Sequence, residues 1–414
     1  MKILEIGTTD TKGGAAMVSW ELKTALEKLG HEVYMAVGYK RSHDPRVIDV
    51  FDTPVNNFIS KIIRKNLYQR LSHHIAYRRS NDISIPLAKR ISSLDILKDI
   101  DIIHGHNLHS NFFNLNELPS LSHTKPFVWT LHDMWAIMGH NAHAFDCTHW
   151  QNGGCTCKLP DTLPAHKINN TQKLWEQKKA IYEKSKLHLV VPSMWLKNKV
   201  EKSILKNHPI EVMYNGVDTD IFKPMDKMET RKKLGLLIDK KIVLFASKGG
   251  SKNIWKGWTY AQGIIDEQKN SPNIVFICLG GYEEEKKSEN IITVPYTNDK
   301  NTLAQYYGAS DILLYPSIAD NCPLTVIEAL SSGLGVLSFD TGGIPELVEH
   351  KINGYIAQYK NADDLKQGFS WLMNLPQNEY QKISESCRRK ALEKFSLEMT
   401  VKNYLNLYNK LLAK

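Results

Sequence analysis

The chain has 414 residues, 42% hydrophobic and 23% charged, with a formal net charge of +9. That length predicts two or three domains with sizeable cores, and the positive balance favours anionic partners such as nucleotides, nucleic acid or acidic lipid surfaces. No apolar run approaches the roughly 18–20 residues of a membrane-spanning helix. In chain order, "MKILEIG" is interrupted by Glu5 and Gly7 and reads as a first strand rather than an export signal. Strand-like runs follow at 32–37, 101–107, 126–133 and 187–193, then at 240–247, 273–281, 311–317 and 335–343. Short apolar runs separated by amphipathic helical patterns predict parallel sheets covered on both faces. Each half carries enough of them for its own doubly wound domain. The Gly, Asp and Pro cluster in "EVMYNGVDTDIFKP" (211–224) marks the expected hinge after it. The stretch 396–414 reads as an amphipathic helix with Val401, Tyr404, Leu405, Tyr408 and Leu411 on one face. The six cysteines, Cys147, Cys155, Cys157, Cys278, Cys322 and Cys387, read as reduced thiols rather than a disulfide framework.

In open α/β sheets ligands sit beyond the carboxyl ends of the strands, so polar residues at those ends are the candidates. Gly13 and Gly14 follow the first strand and precede a helix, where backbone amides can approach an anion. A plain tight turn accounts for them equally well. His132 and Asp133 end "TLHD"; such a histidine can donate to a sugar hydroxyl or a developing charge, or be structural. Lys248 ends the first strand of the second half and Lys256 follows, giving two ammonium groups able to hold a diphosphate. In "ADNCPLTVIEAL", Pro323 suits the first turn of a helix. The backbone N–H groups of Leu324, Thr325 and Val326 are then expected to be unpaired and ready for phosphate. Asp320 before the helix and Glu328 one turn in would hold the hydroxyls of a transferred sugar and of a ribose. These hydroxyl donors offset the several kcal/mol that an unpaired buried carboxylate costs.

The set "TLHDMW", "YNGVDTDIFKP", Lys256-Gly257, "DNCPLTVIEAL" and "TGGIPELV" resembles the GT-B glycosyltransferases of family 4, across both halves and in the same order. The segment "HDMWAIMGHNAHAFDCTHW" is similar to bacterial members that build surface polysaccharides. The resemblance implies an α/β fold of two doubly wound Rossmann-like domains facing across a cleft. The expected domains are an acceptor-side domain at 1–215, a nucleotide-sugar domain at 216–395 and a helix at 396–414 that crosses back to the first. It implies a hexosyltransferase-type, metal-independent enzyme that retains anomeric configuration, with no cofactor beyond a UDP- or GDP-sugar donor. The acceptor would be a glycan or lipid-linked saccharide of bacterial polysaccharide or lipopolysaccharide biosynthesis. In this pattern Gly13 and Gly14 line the phosphate or acceptor side, His132 sits by the reacting sugar, and Lys248 and Lys256 grip the diphosphate. Asp320 and Glu328 match the acids of an E-x7-E motif. Catalytic work would fall to His132, Asp320 and Lys256. Two departures stand out: Asp320 replaces the usual Glu, and Lys248 stands where many relatives have Arg, so a point charge replaces a bidentate grip.

Other patterns compete. Asp99-x-Asp101 and Asp218-x-Asp220 match the metal-binding pattern of another glycosyltransferase fold, but the first precedes its strand and the second sits in a turn that its acids would cap. Cys147, Cys155 and Cys157, with His140, His143 and His149, offer a structural zinc site or a loop of packed thiols. The stretch 56–80 holds six Lys/Arg and no acid, with Phe58, Ile59, Ile62, Ile63, Leu67 and Leu71 in a helical stripe. It suits docking on an anionic membrane or packing on the first domain. No nucleic-acid motif accompanies it. The expected location is the cytoplasm, compatible with docking on the inner membrane face. The alternatives are a sugar-nucleotide epimerase or phosphorylase of the same architecture, or a catalytically silent partner in a polysaccharide-assembly complex.

Overall fold

The computed structural model describes residues 1–52, 67–84, 90–145, 147–153, 167–247, 249–250, 253–281, 286–287 and 290–413. The chain forms two compact units, Met1–Met213 with Val401–Lys414, and Tyr214–Thr400. The division falls inside the stretch 211–224 rather than after it.

The first unit is built on strands β1 (Lys2–Thr9), β2 (Glu32–Tyr39), β3 (Val47–Asp49), β4 (Ile102–Gly105), β5 (Phe127–Thr130), β6 (Leu187–Val191) and β7 (Ile210–Val212). They lie in the order β3-β2-β1-β4-β5-β6-β7, and every pairing is parallel. Strands buried on both faces need continuous apolar runs; Ile3, Leu4, Ile6, Ile102, Ile103 and Val128 are accordingly inaccessible to solvent. The helix Gly14–Lys28 buries Val18, Leu22 and Leu26 at i, i+4 and i+8, the spacing of a core-facing stripe. Its one buried ammonium, Lys23, is neutralised by Glu27 at 2.8 Å and Asp44 at 2.6 Å.

The helix Leu397–Leu412 ends in the first unit. Its buried side chains are Thr400, Val401, Tyr404, Leu407 and Tyr408; Leu407 takes the inward place expected of Leu405, which is half-buried. Two phenols tie it to the sheet: Tyr408 OH lies 2.7 Å from His104 Nδ1 and Tyr404 OH 2.8 Å from Thr130 Oγ1.

The second unit carries β8 (Lys241–Ala246), β9 (Ile274–Gly281), β10 (Lys286–Lys287), β11 (Ile291–Pro295), β12 (Ile312–Tyr315), β13 (Gly335–Phe339) and β14 (Gly354–Ala357). Their order is β10-β11-β9-β8-β12-β13-β14, parallel except for β10 against β11. One buried carboxylate fixes the bottom of this sheet. Asp311 accepts from Arg231 Nη2 at 2.8 Å, Lys227 Nζ at 2.9 Å and the Ile242 amide at 2.7 Å. These donors outweigh burial and hold its pKa below the usual carboxylate range.

The nine strand-like runs of the sequence all contain strands, whereas β3, β7, β10, β11 and β14 are additions. Four of these additions lie in the two outer positions at the margins of their sheets; β11 lies one place inside. Three of the five have only two or three residues, too short for periodicity to register. In both sheets the strand order reverses beside the unit's first strand, between β1 and β4 and between β8 and β12.

Removing the Tyr408 hydroxyl strands a buried ring nitrogen of His104. Tyr408→Phe should lower unfolding free energy by about 1–3 kcal/mol with an unchanged far-ultraviolet circular dichroism spectrum. Chemical denaturation monitored by that signal measures it, and an unshifted midpoint would contradict the tie.

Candidate active site

The reversal in the second sheet brings the ends of β8 and β12 together. Asp320 lies five residues beyond β12 and Lys256 in the turn Ile254–Lys256 that follows β8. Lys256 Nζ donates to Asp320 Oδ1 at 2.8 Å and Oδ2 at 2.7 Å, and to Tyr315 OH at 2.8 Å. Tyr315 OH donates to Asp320 Oδ2 at 2.8 Å and Ser317 Oγ to the same oxygen at 2.6 Å. The acid and the ammonium are partly exposed, at 14% and 22%, while Tyr315 and Ser317 are buried beneath them. Burial and the neighbouring Asp320 push the Tyr315 phenol far above its ordinary pKa, so it stays a donor.

Two glycines let the loops close on this cluster. A Cβ at Gly257 (φ 65°) would stand 1.8 Å from the Pro316 carbonyl oxygen, and one at Gly342 (φ 58°) 1.5 Å from the Asp320 carbonyl oxygen. The Gly343 amide then donates to Asn321 O at 3.0 Å. The "TGGIPEL" turn is thereby seated on the backbone of the acid.

The helix Leu324–Ser331 starts directly after Asp320's loop, capped by Pro323 at φ −71° and ψ 122°. Pro323 is therefore the residue before the first turn, not its first member. The Val326 amide, expected to be unpaired, donates to Pro323 O at 3.1 Å. This i→i−3 bond tightens the helix start and leaves the amides of Leu324 and Thr325 as the anion-binding candidates. Glu328, half-buried, accepts from Tyr307 OH at 2.8 Å; burial raises its pKa against the pull of Tyr307 and Lys300. Sequence reading gave Lys256 and Asp320 separate tasks. The structure pairs them and adds Tyr315, Ser317 and Tyr307, whose signal was their place on or beside "DILLYPS". Lys248 lies outside the described residues.

In the first unit Gly13 (φ 108°) precedes the helix Gly14–Lys28, whose first turn holds no acid; Gly14 is exposed. His132, half-buried past the end of β5, shares a hydrogen bond between its Nε2 and His106 Nδ1 at 3.0 Å. Burial lowers its pKa to about 4, so the ring is neutral near neutrality. Asp133 is held by His109 Nε2 at 3.0 Å and the Trp135 amide at 2.8 Å. Sequence reading missed the polar set beneath His132. Glu5 on β1 and His104 on β4 are register partners, and His106 follows; all three are at most 2% exposed. Burial pushes Glu5 up to about 8, against smaller opposing effects of the Ser19 hydroxyl and Lys23. The signal was present: an acid inside an apolar strand and two histidines in "IIHGH".

Among the described residues, Glu5, His104 and His106 are also the group of metal-ligating side chains whose ligand atoms lie within 4.8 Å of one another. Both ring nitrogens of His104 are, however, engaged by Thr130 Oγ1 at 2.8 Å and Tyr408 OH at 2.7 Å. In the proposed zinc cluster Cys147 Sγ lies 3.7 Å from His149 Nδ1. His140 instead meets Thr171 Oγ1 at 3.0 Å, and His143 accepts the Phe145 amide and stacks on Trp195. Cys155 and Cys157 lie outside the described residues. Asp218 caps its own turn through the amides of Asp220 and Ile221, and Asp101 accepts the Lys2 amide. Of 56–80, the helix Leu67–Arg79 is described; residues 56–66 are not.

Two Rossmann-like units with polar residues gathered at the strand-order reversals are the architecture of the GT-B glycosyltransferases. The chain belongs to Glycosyltransferase Family 4, whose model matches residues 12–221, and the model for glycosyl transferases group 1 matches residues 226–390. An uncharacterized glycosyltransferase of Methanocaldococcus jannaschii is 23% identical over 96% of this chain and 94% of its own. A putative colanic acid biosynthesis glycosyl transferase of Escherichia coli is 22% identical over 84% of this chain and 85% of its own. Sucrose-phosphate synthase from Thermosynechococcus elongatus shares the fold at a TM-score of 0.70 and 17% identity, covering 100% of this chain and 99% of that one. An Anabaena protein solved with UDP-glucose does so at 0.64 and 15%, covering 99% and 100%. No helix among the described residues is long and apolar enough to cross a membrane.

The buried Glu5 makes stability depend on pH. Its pKa is higher folded than unfolded, so its contribution is fully present below about 4.5 and is lost as pH rises toward about 8. Glu5→Gln removes that loss. The melting temperature of the variant relative to the native chain should therefore rise from pH 5 to pH 8; a difference independent of pH would contradict it.

Proposed function

We propose that the chain is a retaining, metal-independent hexosyltransferase that moves a sugar from a UDP- or GDP-sugar to a glycan or lipid-linked acceptor in bacterial polysaccharide assembly. The observation that carries this reading is the convergence of Lys256, Asp320, Tyr315 and Ser317 just ahead of the helix Leu324–Ser331. Cationic, anionic and hydroxyl groups there flank a helix start whose leading amides suit a phosphate.

In this reading the diphosphate rests on the amides of Leu324 and Thr325. Lys256 moves from Asp320 to the phosphate, which releases Asp320 to accept from hydroxyls of the transferred sugar. Lys248 adds a second ammonium to the diphosphate. Glu328, oriented by Tyr307, accepts from the ribose diol, and His132 serves the reacting sugar as the family resemblance implies. Gly13 and Gly14 keep the backbone open on the phosphate or acceptor side. The bond from the anomeric carbon to phosphate breaks as the acceptor oxygen forms its bond on the same face, and the acceptor's proton passes to the leaving phosphate oxygen. The charge of Lys256 stabilises the departing diphosphate in place of a cation. The relative named for colanic acid biosynthesis, and the fold shared with a glycosyltransferase of lipopolysaccharide biosynthesis (TM-score 0.62, 13% identity), support the choice of acceptor class. The solved UDP-glucose complex of a structural neighbour supports a nucleotide-sugar donor. The basic stretch 56–80 supports work at an anionic membrane surface.

Incubation with a panel of nucleotide sugars should release nucleoside diphosphate from one of them. Glu328→Ala should cut that release by about 10–100-fold, the worth of one or two charge-assisted hydrogen bonds. His132→Ala should lower turnover more than donor affinity. Silence across the panel, or full activity in Glu328→Ala, would overturn the proposal. A chelator should leave release intact; loss restored by magnesium or manganese would refute metal independence.

A further inference from the structure

His106 stands at the end of β4, beside the reversal in the first sheet, between a carboxyl group and His132. Its Nδ1 is 3.0 Å from His132 Nε2, with the rings 19° from parallel. Its Nε2 is 3.8 Å from Glu5 Oε2. His106 is 2% exposed and Glu5 is fully buried, and neither His106 Nε2 nor Glu5 Oε1 has a hydrogen-bond partner. Glu5 Oε2 accepts from Ser19 Oγ. His104, whose ring centroid lies 4.1 Å from that of His106, walls the pocket with both its nitrogens engaged by hydroxyls. On the far side of His132, Asp133 is engaged by His109.

We propose that Glu5 and His106 are positioning residues that fix the tautomer of His132: the Glu5 carboxyl donates to His106 Nε2, His106 Nδ1 donates to His132 Nε2, and His132 carries its hydrogen on Nδ1. A neutral imidazole has one donor and one acceptor nitrogen. Two neutral rings sharing a hydrogen bond therefore have two possible orders of hydrogens, and the group at the buried end selects between them. An uncharged carboxyl has a hydrogen to give, so the nitrogen facing it must accept, and the order propagates outward. The oxygen 3.8 Å away is Oε2, which already accepts from Ser19; turning the carboxyl so that Oε1 faces His106 Nε2 pairs both orphaned atoms, each costly to leave unpaired in a dry site. Burial favours the uncharged form of Glu5 and of all three imidazoles, so no ion interrupts the order. His132 is thereby set as a hydrogen-bond donor from Nδ1, suited to a hydroxyl or phosphate oxygen. Only this catalytic consequence rests on the transfer reading; the tautomer does not.

Nitrogen-15 spectra of the full chain labelled at histidine test it, with His132 assigned by its loss in His132→Gln. The native chain should show His132 protonated at Nδ1 and bare at Nε2. A hydrogen on Nε2 would overturn the proposal, and this needs no variant at positions 5 or 106. His106→Leu should abolish the preference; an unchanged spectrum would overturn it. His106→Asn, whose amide nitrogen can stand where Nδ1 stood, and Glu5→Gln, whose amide donates as the carboxyl does, should both keep it. In donor hydrolysis His106→Leu should lose about tenfold in kcat with the donor KM within about twofold, and His106→Asn should regain most of it. Unaltered kcat in His106→Leu would remove the positioning role. Absence of hydrolysis in every form, native included, would sink the transfer reading while the spectrum still decides the tautomer.

Discussion

A parallel sheet whose strand order reverses cannot cover the carboxyl ends of the two strands at the reversal, because their outgoing connections leave to opposite sides. Both units of this chain meet that constraint beside their first strand, and what the chain places there is polar. In the second unit the strand ends carry an ion pair braced by two hydroxyls; in the first, His106 and His132 follow the strand ends, backed by Glu5 and His104 within the strands, and burial favours the uncharged form of all four. The two solutions differ because the solvent access differs. Lys256 and Asp320 stay partly exposed and remain an ion pair, whereas Glu5, His104 and His106 are sealed in, where a charge costs far more than a proton gained or lost.

Much of this is legible in the amino-acid sequence alone. Alternation of apolar runs and helical patterns is enough for two parallel sheets, since strands buried on both faces leave a strong signal. The margins of the sheets were not legible: β3 and β7 hold three residues each, and their pairing is decided by neighbours rather than by their own periodicity. The motif acids and Lys256 were visible through strand-end position and family pattern. Their mutual pairing was not, because Lys256 and Asp320 are 64 residues apart and nothing local encodes that contact. Tyr315 and Ser317 were hidden by reading as ordinary members of a buried strand end. Glu5 was noticed only as an interruption, although an acid that stays in a fully buried strand must have a neutral or paired environment. The helix start is only half legible: the sequence marks a proline at the first turn, but Pro323 stands before that turn, caps the helix and takes up the Val326 amide.

In the proposed reading Asp320 stands where the motif of the family resemblance has a longer acid. Its carboxylate is held from below by Tyr315 and Ser317, and its backbone carries the "TGGIPEL" turn at a distance that excludes any side chain at Gly342. Position is thus imposed from three sides rather than by the reach of the side chain.

The phenols of Tyr404 and Tyr408 contact Thr130 and His104, partners 274 and 304 residues earlier in the chain. During synthesis, residues 1–213 emerge well before residues 401–414. At roughly 5–20 residues per second, the nascent first sheet waits on the order of ten to forty seconds for its last helix. Through that interval the surface destined for Tyr404 and Tyr408 is uncovered, and His104 lacks its phenol. The amino-terminal unit thus reaches its finished form after the unit that follows it in the chain has been made, and a ribosome stalled within the second unit would hold out an incomplete first one to chaperones and proteases.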